Sequence, residues 1–376
     1  MNLIKQTRPD IARIPEQAWS FYDPNGVLAS SEHPEDALLS WLDSKREAPI
    51  ALPRIGAVAT RQLVATELAH TCTIDSENLE AHSEWLGIPA SQVEQGVEAA
   101  QAYAYDTARF CLDAITELRH RHQLPLRYTS DVTLAGAVLS ANAHKDQWRM
   151  NGKPYYSHTK SVALLLNIAH KTHLADHSGS PLPLFDMEAL LHDGLEDAFP
   201  RDGSSFLTSQ NVITSPLVIC ETLRQLGMPA DIAKARAIGI LGLTKTVGPD
   251  GPMRYWSYIE RFSAYPEQIP TKQADLQHNY RIDSKVPLLG NDAYVLRKNQ
   301  RLFLKKNQYY DAQQHLLAEY SKSDCITGGD WLAKQLFTAH ILQLTARDLK
   351  QARAVTPWTR LSHNELIAAY EEAADR

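Results

Sequence analysis

The stretch PLPLFDMEALLHDGLEDAF (181–199) decides the fold. Asp186 reads as an N-cap, and Met187, Leu190 and Leu191 give the three/four spacing of an apolar helix face. Directly behind that apolar run stand His192, Asp193, Glu196 and Asp197. Glu196 is four residues after His192, and Asp197 four after Asp193, so all four fall on neighbouring strips of one helical turn. Four ionisable groups closing an apolar helix suit the wall of a cleft better than a surface.

Two further stretches extend the pattern. In AHKDQWRMNGKPYYSHTKSVALLLNIA (143–169), Asn151-Gly152 signals a turn and Pro154 pushes the residue before it out of helical backbone. Val162, Leu165, Leu166 and Ala169 then mark a helix, with His158 at or just before its first turn. In IPTKQADLQHNYRID (269–283), Pro270 suits a helix start. Asp275 and Asn279 share a face, and Lys272 precedes Asp275 by three. Two imidazoles and two carboxylates are a donor set for a borderline divalent ion such as Mn²⁺ or Zn²⁺. His170, His173 and His177 form a rival trio at three and four spacing, with Asp176-His177 reading as the start of a loop.

Helical periodicity dominates the rest, and β-alternation is rare. The expected organisation is an N-terminal helical region over 1–130, a chemistry-bearing domain over 131–290 and a C-terminal helical extension over 291–376. In the first, PEDALLSWLDSK (34–45) reads as a short helix. Residues 91–122 read as one or two amphipathic helices ending in RHRH (119–122), a solvated cationic C-terminus. In the last, QYYDAQQHLLAEYSK (308–322) and WLAKQLFTAHILQLTARDL (331–349) are helical. LRKNQRLFLKK (296–306) reads as a solvated helix face with Phe303 turned inward.

Composition narrows the functional classes. At 376 residues, 44% hydrophobic and 22% charged, the chain can bury a sizeable core and is neither collagen-like nor disordered. A net charge of −6 argues against general nucleic-acid binding, which needs a basic surface. Cys72, Cys111, Cys220 and Cys325 form no Cys-x-x-Cys pair, so zinc ribbons and redox motifs are unsupported and reduced thiols are expected. No apolar h-region stands at the N-terminus, and no apolar stretch approaches the roughly 18–20 residues of a membrane span. The expectation is a soluble, cytoplasmic protein.

Together these stretches resemble the HD phosphohydrolase superfamily, and more narrowly the (p)ppGpp hydrolase domain of the Rel/SpoT-type enzymes and the small alarmone hydrolases. The resemblance rests on Ala143, His144, Gln147, Arg149, Gly152, Pro154, Tyr155 and His158; on His192, Asp193, Glu196 and Asp197; and on Ala274, Asp275, His278 and Asn279. GLTK (242–245) and YWSYIERF (255–262) add to it. It covers residues 131–290. Met150 stands where the family has Lys, Thr159 where it has Pro, and Ile282 where it often has Thr near the base.

The resemblance implies an all-α HD-domain helical bundle with one Mn²⁺ held by His158, His192, Asp193 and Asp275. It implies that Glu196 and Asp197 position or deprotonate the attacking water, that Arg149 stacks on the purine base and that Asn279 helps fix the nucleotide. The reaction implied is release of the 3′-diphosphate of (p)ppGpp. Such an ester carries several negative charges, so a divalent metal is needed to offset them and acidify water, with a nearby carboxylate taking the proton. Lys153, Lys160 and Lys245 are available cations for the diphosphate. Two other readings stand beside this one: an HD phosphohydrolase acting on another nucleotide, and a non-catalytic nucleotide-sensing module. The partner expected is a small nucleotide, with no membrane. Dimerisation, covering the cleft and regulation are the roles open to the flanks, homo-oligomer formation among them.

Overall fold

Two helices with fully buried runs lie at the heart of one of the chain's two compact units. The computed structural model describes residues 90–125, 129–149, 152–176, 186–194, 216–243, 247–248, 251–252, 255–282, 293–323 and 331–376. The helices are α1 (Ala90–His122), α2 (Asp131–Ala143), α3 (Tyr156–Asp176), α4 (Asp186–Leu191), α5 (Pro216–Gln225) and α6 (Ala230–Gly242). They continue as α7 (Tyr255–Glu260), α8 (Ile269–Gln277), α9 (Ala293–Lys322), α10 (Trp331–Gln343), α11 (Ala346–Val355) and α12 (His363–Ala374). The fold is all-α; a two-residue antiparallel pair, Val247–Gly248 with Gly251–Pro252, is the only sheet among the described residues. No described helix is long and apolar enough to cross a membrane.

The chain forms two compact units. One holds residues 1–114, 193–255 and 373–376; in it α5 packs on α6, and Gln225 Nε2 donates to the Tyr105 carbonyl at 3.2 Å. The other combines 115–192 with 256–372. Its centre is α3, against which α4, α8, α10 and α11 all pack. The helices of residues 293–355 therefore share a core with those of the 143–169 stretch. The α3 run from Ser161 to Leu166 is buried throughout, as is α2 from Thr133 onward. Neither run has an exposed face, which is the condition of a helical stretch enclosed by others. The hydroxyls of Ser140 and Thr159 meet at 2.9 Å across the α2–α3 contact, so Thr159 has a polar partner in the core.

Local chemistry sets the helix starts. Ser130 caps α2 by accepting from the Thr133 amide. Asp186 is the first residue of α4, and its carboxylate accepts from the Thr133 hydroxyl at 2.6 Å, tying α4 to α2. Thr345 and Asp348 form a reciprocal capping box that starts α11. The polar helix α8 is buried apart from Lys272 and has two working faces. On one, Gln273 donates to the Gln313 carbonyl of α9, and Gln277 donates to the carbonyls of Leu342 and Leu344 at the end of α10. Gln277 thereby satisfies carbonyls that the end of α10 leaves without an intrahelical donor.

Two sequence expectations need correction. The RHRH end of α1 is not simply solvated. Arg119 bridges to Asp131 at 2.6 Å and donates to the carbonyls of Leu124 and Thr129, fastening the α1 end to the α2 start. Phe303 is not turned inward: it is 65% exposed, and Leu302 takes the more buried position. The 34–45 helix lies outside the described residues.

Two predictions follow from the packing. A β-carbon on Gly136 of α2 would lie 3.2 Å from the Met187 Cα of α4. Gly136→Val should therefore cost about 1–3 kcal/mol in urea unfolding, the usual penalty of overpacking; an unchanged midpoint would show that α4 yields freely. Burial, with the Glu188 carboxylate nearby, pushes the Glu267 carboxyl up to about 7. A raised carboxyl favours folding in its protonated form. Its contribution is thus full below about pH 4.5 and lost as pH rises through about 7, a swing of roughly 3 kcal/mol. Glu267→Gln should flatten that slope in pH-dependent unfolding, and an identical slope would remove Glu267 from the account.

Candidate metal centre and adjoining cationic cavity

The 147–155 segment delivers His158. Tyr155 N–H bonds to the Gln147 carbonyl and Arg149 N–H to that of Lys153, both at 2.9 Å. Gly152, at φ +75°, takes the left-handed position that closes the turn. Ser157 and His158 donate back to Pro154 and Tyr155, starting α3 with His158 in its first turn. The His144 ring, bonded to Gln147 at 2.9 Å, packs 4.6 Å from Tyr155, whose ring meets His158 edge-on. His144 and Tyr155 thereby position His158.

His192 directly follows α4 and is buried. Its Nδ1 lies 2.7 Å from the Ala189 carbonyl. A carbonyl only accepts, so Nδ1 carries the proton and Nε2 keeps its lone pair. That Nε2 faces Asp275 Oδ1 at 3.6 Å, while His158 Nε2 lies 3.1 Å from the same oxygen. Ligand atoms of His158, His192 and Asp275 all lie within 4.8 Å of one another, and all three residues are buried. A lone pair facing a carboxylate oxygen in the core calls for a cation between them.

The surroundings hold that arrangement. Asp275 Oδ2 pairs with Lys272 Nζ at 2.7 Å, and Oδ1 accepts from Asn279 Nδ2 at 2.6 Å. Burial alone would raise the Asp275 carboxyl; Lys272 first, then the hydrogen-bonding His158 and His192, outweigh it and hold the group well below the carboxylate range. His278 Nδ1 meets His158 Nδ1 at 2.8 Å. Burial, then His158 and Arg149, keep the His278 imidazole well below its ordinary range, so it is neutral. When His278 is the acceptor, His158 Nδ1 donates and its Nε2 is left to bind. Two imidazole nitrogens, a carboxylate oxygen and outer partners that fix each of them fit a divalent metal.

Beside this group lies a cavity of about 390 Å³. Arg149, Lys153, Lys160, Lys350, Arg353 and His278 line it, and no carboxylate does among the described residues. Among the candidate substrate residues, Arg149 and Lys153 are in its wall. Asn279 connects it to the metal group, accepting from Arg149 at 3.1 Å while donating to Asp275. Arg149 also stacks over Tyr155 at 5.5 Å, and Ile282 is in the wall. Burial, reinforced by Arg353, pushes the Lys160 ammonium down to about 8 against the pull of Glu365.

Asp193 follows His192 and is half-buried; the three-residue group does not include it. Glu196, Asp197, His177 and Lys245 lie outside the described residues. No second group of potential metal ligands occurs among the described residues, and of the His170 trio the His173 side chain and His177 lie outside them. Cys111 and Cys220 are buried, and burial pushes the Cys111 thiol up, an inert rather than reactive setting. Sequence reasoning assigned no role to His278, Lys350 or Arg353. For the last two the signal was three-residue spacing of cations on a short helix.

Comparisons with protein-family models, with curated proteins and with solved structures gave no match for this chain.

A metal bound only by the folded chain stabilises by mass action, about 2.7 kcal/mol at a hundredfold the dissociation constant. Mn²⁺ should raise the unfolding midpoint by several degrees and chelator should reverse it. Asp275→Asn and His158→Gln should each abolish the Mn²⁺-dependent shift. A wild-type midpoint indifferent to Mn²⁺ and chelator would contradict a metal centre.

Proposed function

We propose that this protein is a metal-dependent phosphohydrolase of the HD type that removes the 3′-diphosphate of (p)ppGpp-type alarmones, without synthesising them. The observation that carries this reading is the placing of a cationic cavity against a buried His/His/Asp group, with His278 touching both. A polyphosphate ester needs that pairing: fixed cations to bind it, and a donor set for a metal next to the reacting phosphorus. The resemblance of the three stretches to the alarmone hydrolases gives the substrate class.

The residues divide the work. Mn²⁺, held by His158, His192, Asp275 and, by resemblance, Asp193, would supply Lewis acidity. Arg149, Lys153 and Asn279 bind and orient the nucleotide. Glu196 and Asp197, four residues after His192 and Asp193 in the sequence, would by resemblance position water and accept its proton. Water adds to the phosphorus bonded to the 3′ oxygen, and that P–O bond breaks; ppGpp then yields GDP and pyrophosphate. Synthesis would need a nucleotidyltransferase core built on strands, and residues 293–322, 331–343 and 346–355 are helices.

Purified protein with Mn²⁺ and ppGpp, pppGpp or ppApp, resolved by ion exchange, should release pyrophosphate. Asp193→Asn should remove turnover. Glu196→Gln should retain metal and slow turnover by roughly 10²–10⁴, the range for loss of a general base. Release of orthophosphate instead, or turnover only of cyclic or 5′-phosphorylated nucleotides, would overturn the alarmone assignment.

A further inference from the structure

Helix α11 brings two cations to the cavity from far along the chain. Lys350 and Arg353 lie one turn apart on it, and Ala346 and Leu349 from the same helix complete that part of the wall. Arg353 is half-buried and donates through Nη2 to the Ser161 hydroxyl of α3. Its Nε is buried without a hydrogen-bond partner. Lys160 is anchored by the carbonyls of Thr359 and Leu361 at 3.2 and 3.3 Å. Among the described residues, Lys160, Lys350 and Arg353 form no ion pair with a carboxylate. The acidic residue of α11's first turn, Asp348, is engaged in the capping box with Thr345.

Converging cations, two of them half-buried and none ion-paired among the described residues, repel one another. They are kept together at a cost that an incoming polyanion relieves. Position defines which polyanion. His278 is in the cavity wall, but none of the three residues of the metal group is. An anion in the cavity therefore sits to one side of the reacting phosphorus, within reach of the same ligand. We propose that Lys350 and Arg353, with Lys160, form a second phosphate subsite that holds the non-scissile phosphate chain of a nucleotide, the 5′ chain in the proposed substrate. Only the naming of that chain as 5′ rests on the alarmone reading; the anion subsite rests on the cation cluster. Each lost charge-assisted contact is worth about tenfold in affinity.

The test uses the full chain in chelator, so that no reaction occurs, with GTP, GMP and guanosine titrated calorimetrically. GTP should bind more tightly than GMP, and its affinity should fall with added salt. Lys350→Gln, at an exposed position, and Arg353→Gln, which can still donate to Ser161, should each weaken GTP about tenfold and reduce the salt dependence. Guanosine should be unaffected by either change. Equal GTP affinity in wild type and both variants would overturn the subsite. Dependence of GTP binding on both residues, in a protein that turns over no alarmone, would support the subsite and overturn the hydrolase reading alone.

Discussion

The charge of Asp275 is the constraint around which the chemistry-bearing unit is built. A carboxylate taken out of water is tolerated only with opposite charge and hydrogen bonds at both oxygens. Lys272 meets one oxygen; Asn279 and His158 meet the other, with His192 close behind. Each partner comes with its own support. His192 is fixed by the Ala189 carbonyl, His158 by His278, and Asn279 by Arg149 of the 147–155 turn. The packing of α3, α4 and α8 is thus also the assembly of one electrostatic knot. Removing any member would leave charge or lone pairs facing one another in the core.

The parts of this arrangement governed by helical periodicity were legible in the sequence. Lys272, Asp275 and Asn279 were read on one face, and the structure joins them at 2.7 and 2.6 Å. His158 was placed at a helix start, and α3 begins two residues before it. Local spacing determines such contacts, and tertiary structure only has to leave them alone. The all-α class was legible for the same reason.

Contacts that depend on the distant chain were not legible. Arg353 meets Ser161 from 192 residues away in the chain, and nothing in ARDLKQAR (346–353) distinguishes a cavity wall from a solvated helix. Gln273, Gln277 and Gln313 would be surface residues by composition; they are buried in one hydrogen-bonded chain, Gln273 to the Gln313 carbonyl, Gln313 to the Gln277 side chain and Gln277 to the carbonyl end of α10. Phe303 failed for another reason. Leu302, Phe303 and Leu304 are consecutive, so they span nearly a full turn and periodicity cannot choose the inward one. The structure buries Leu302 most and leaves Phe303 and Leu304 outside.

The central claim is that His158 and His192 meet Asp275 in order to hold one divalent ion. Pulsed electron paramagnetic resonance of Mn²⁺ added to the purified chain tests it directly, because imidazole nitrogens bonded to the ion modulate its spin echo. Two nitrogen couplings are predicted in the wild type, with one removed by His158→Gln and the other by His192→Gln. A bound Mn²⁺ whose echo carries no nitrogen coupling would contradict the account.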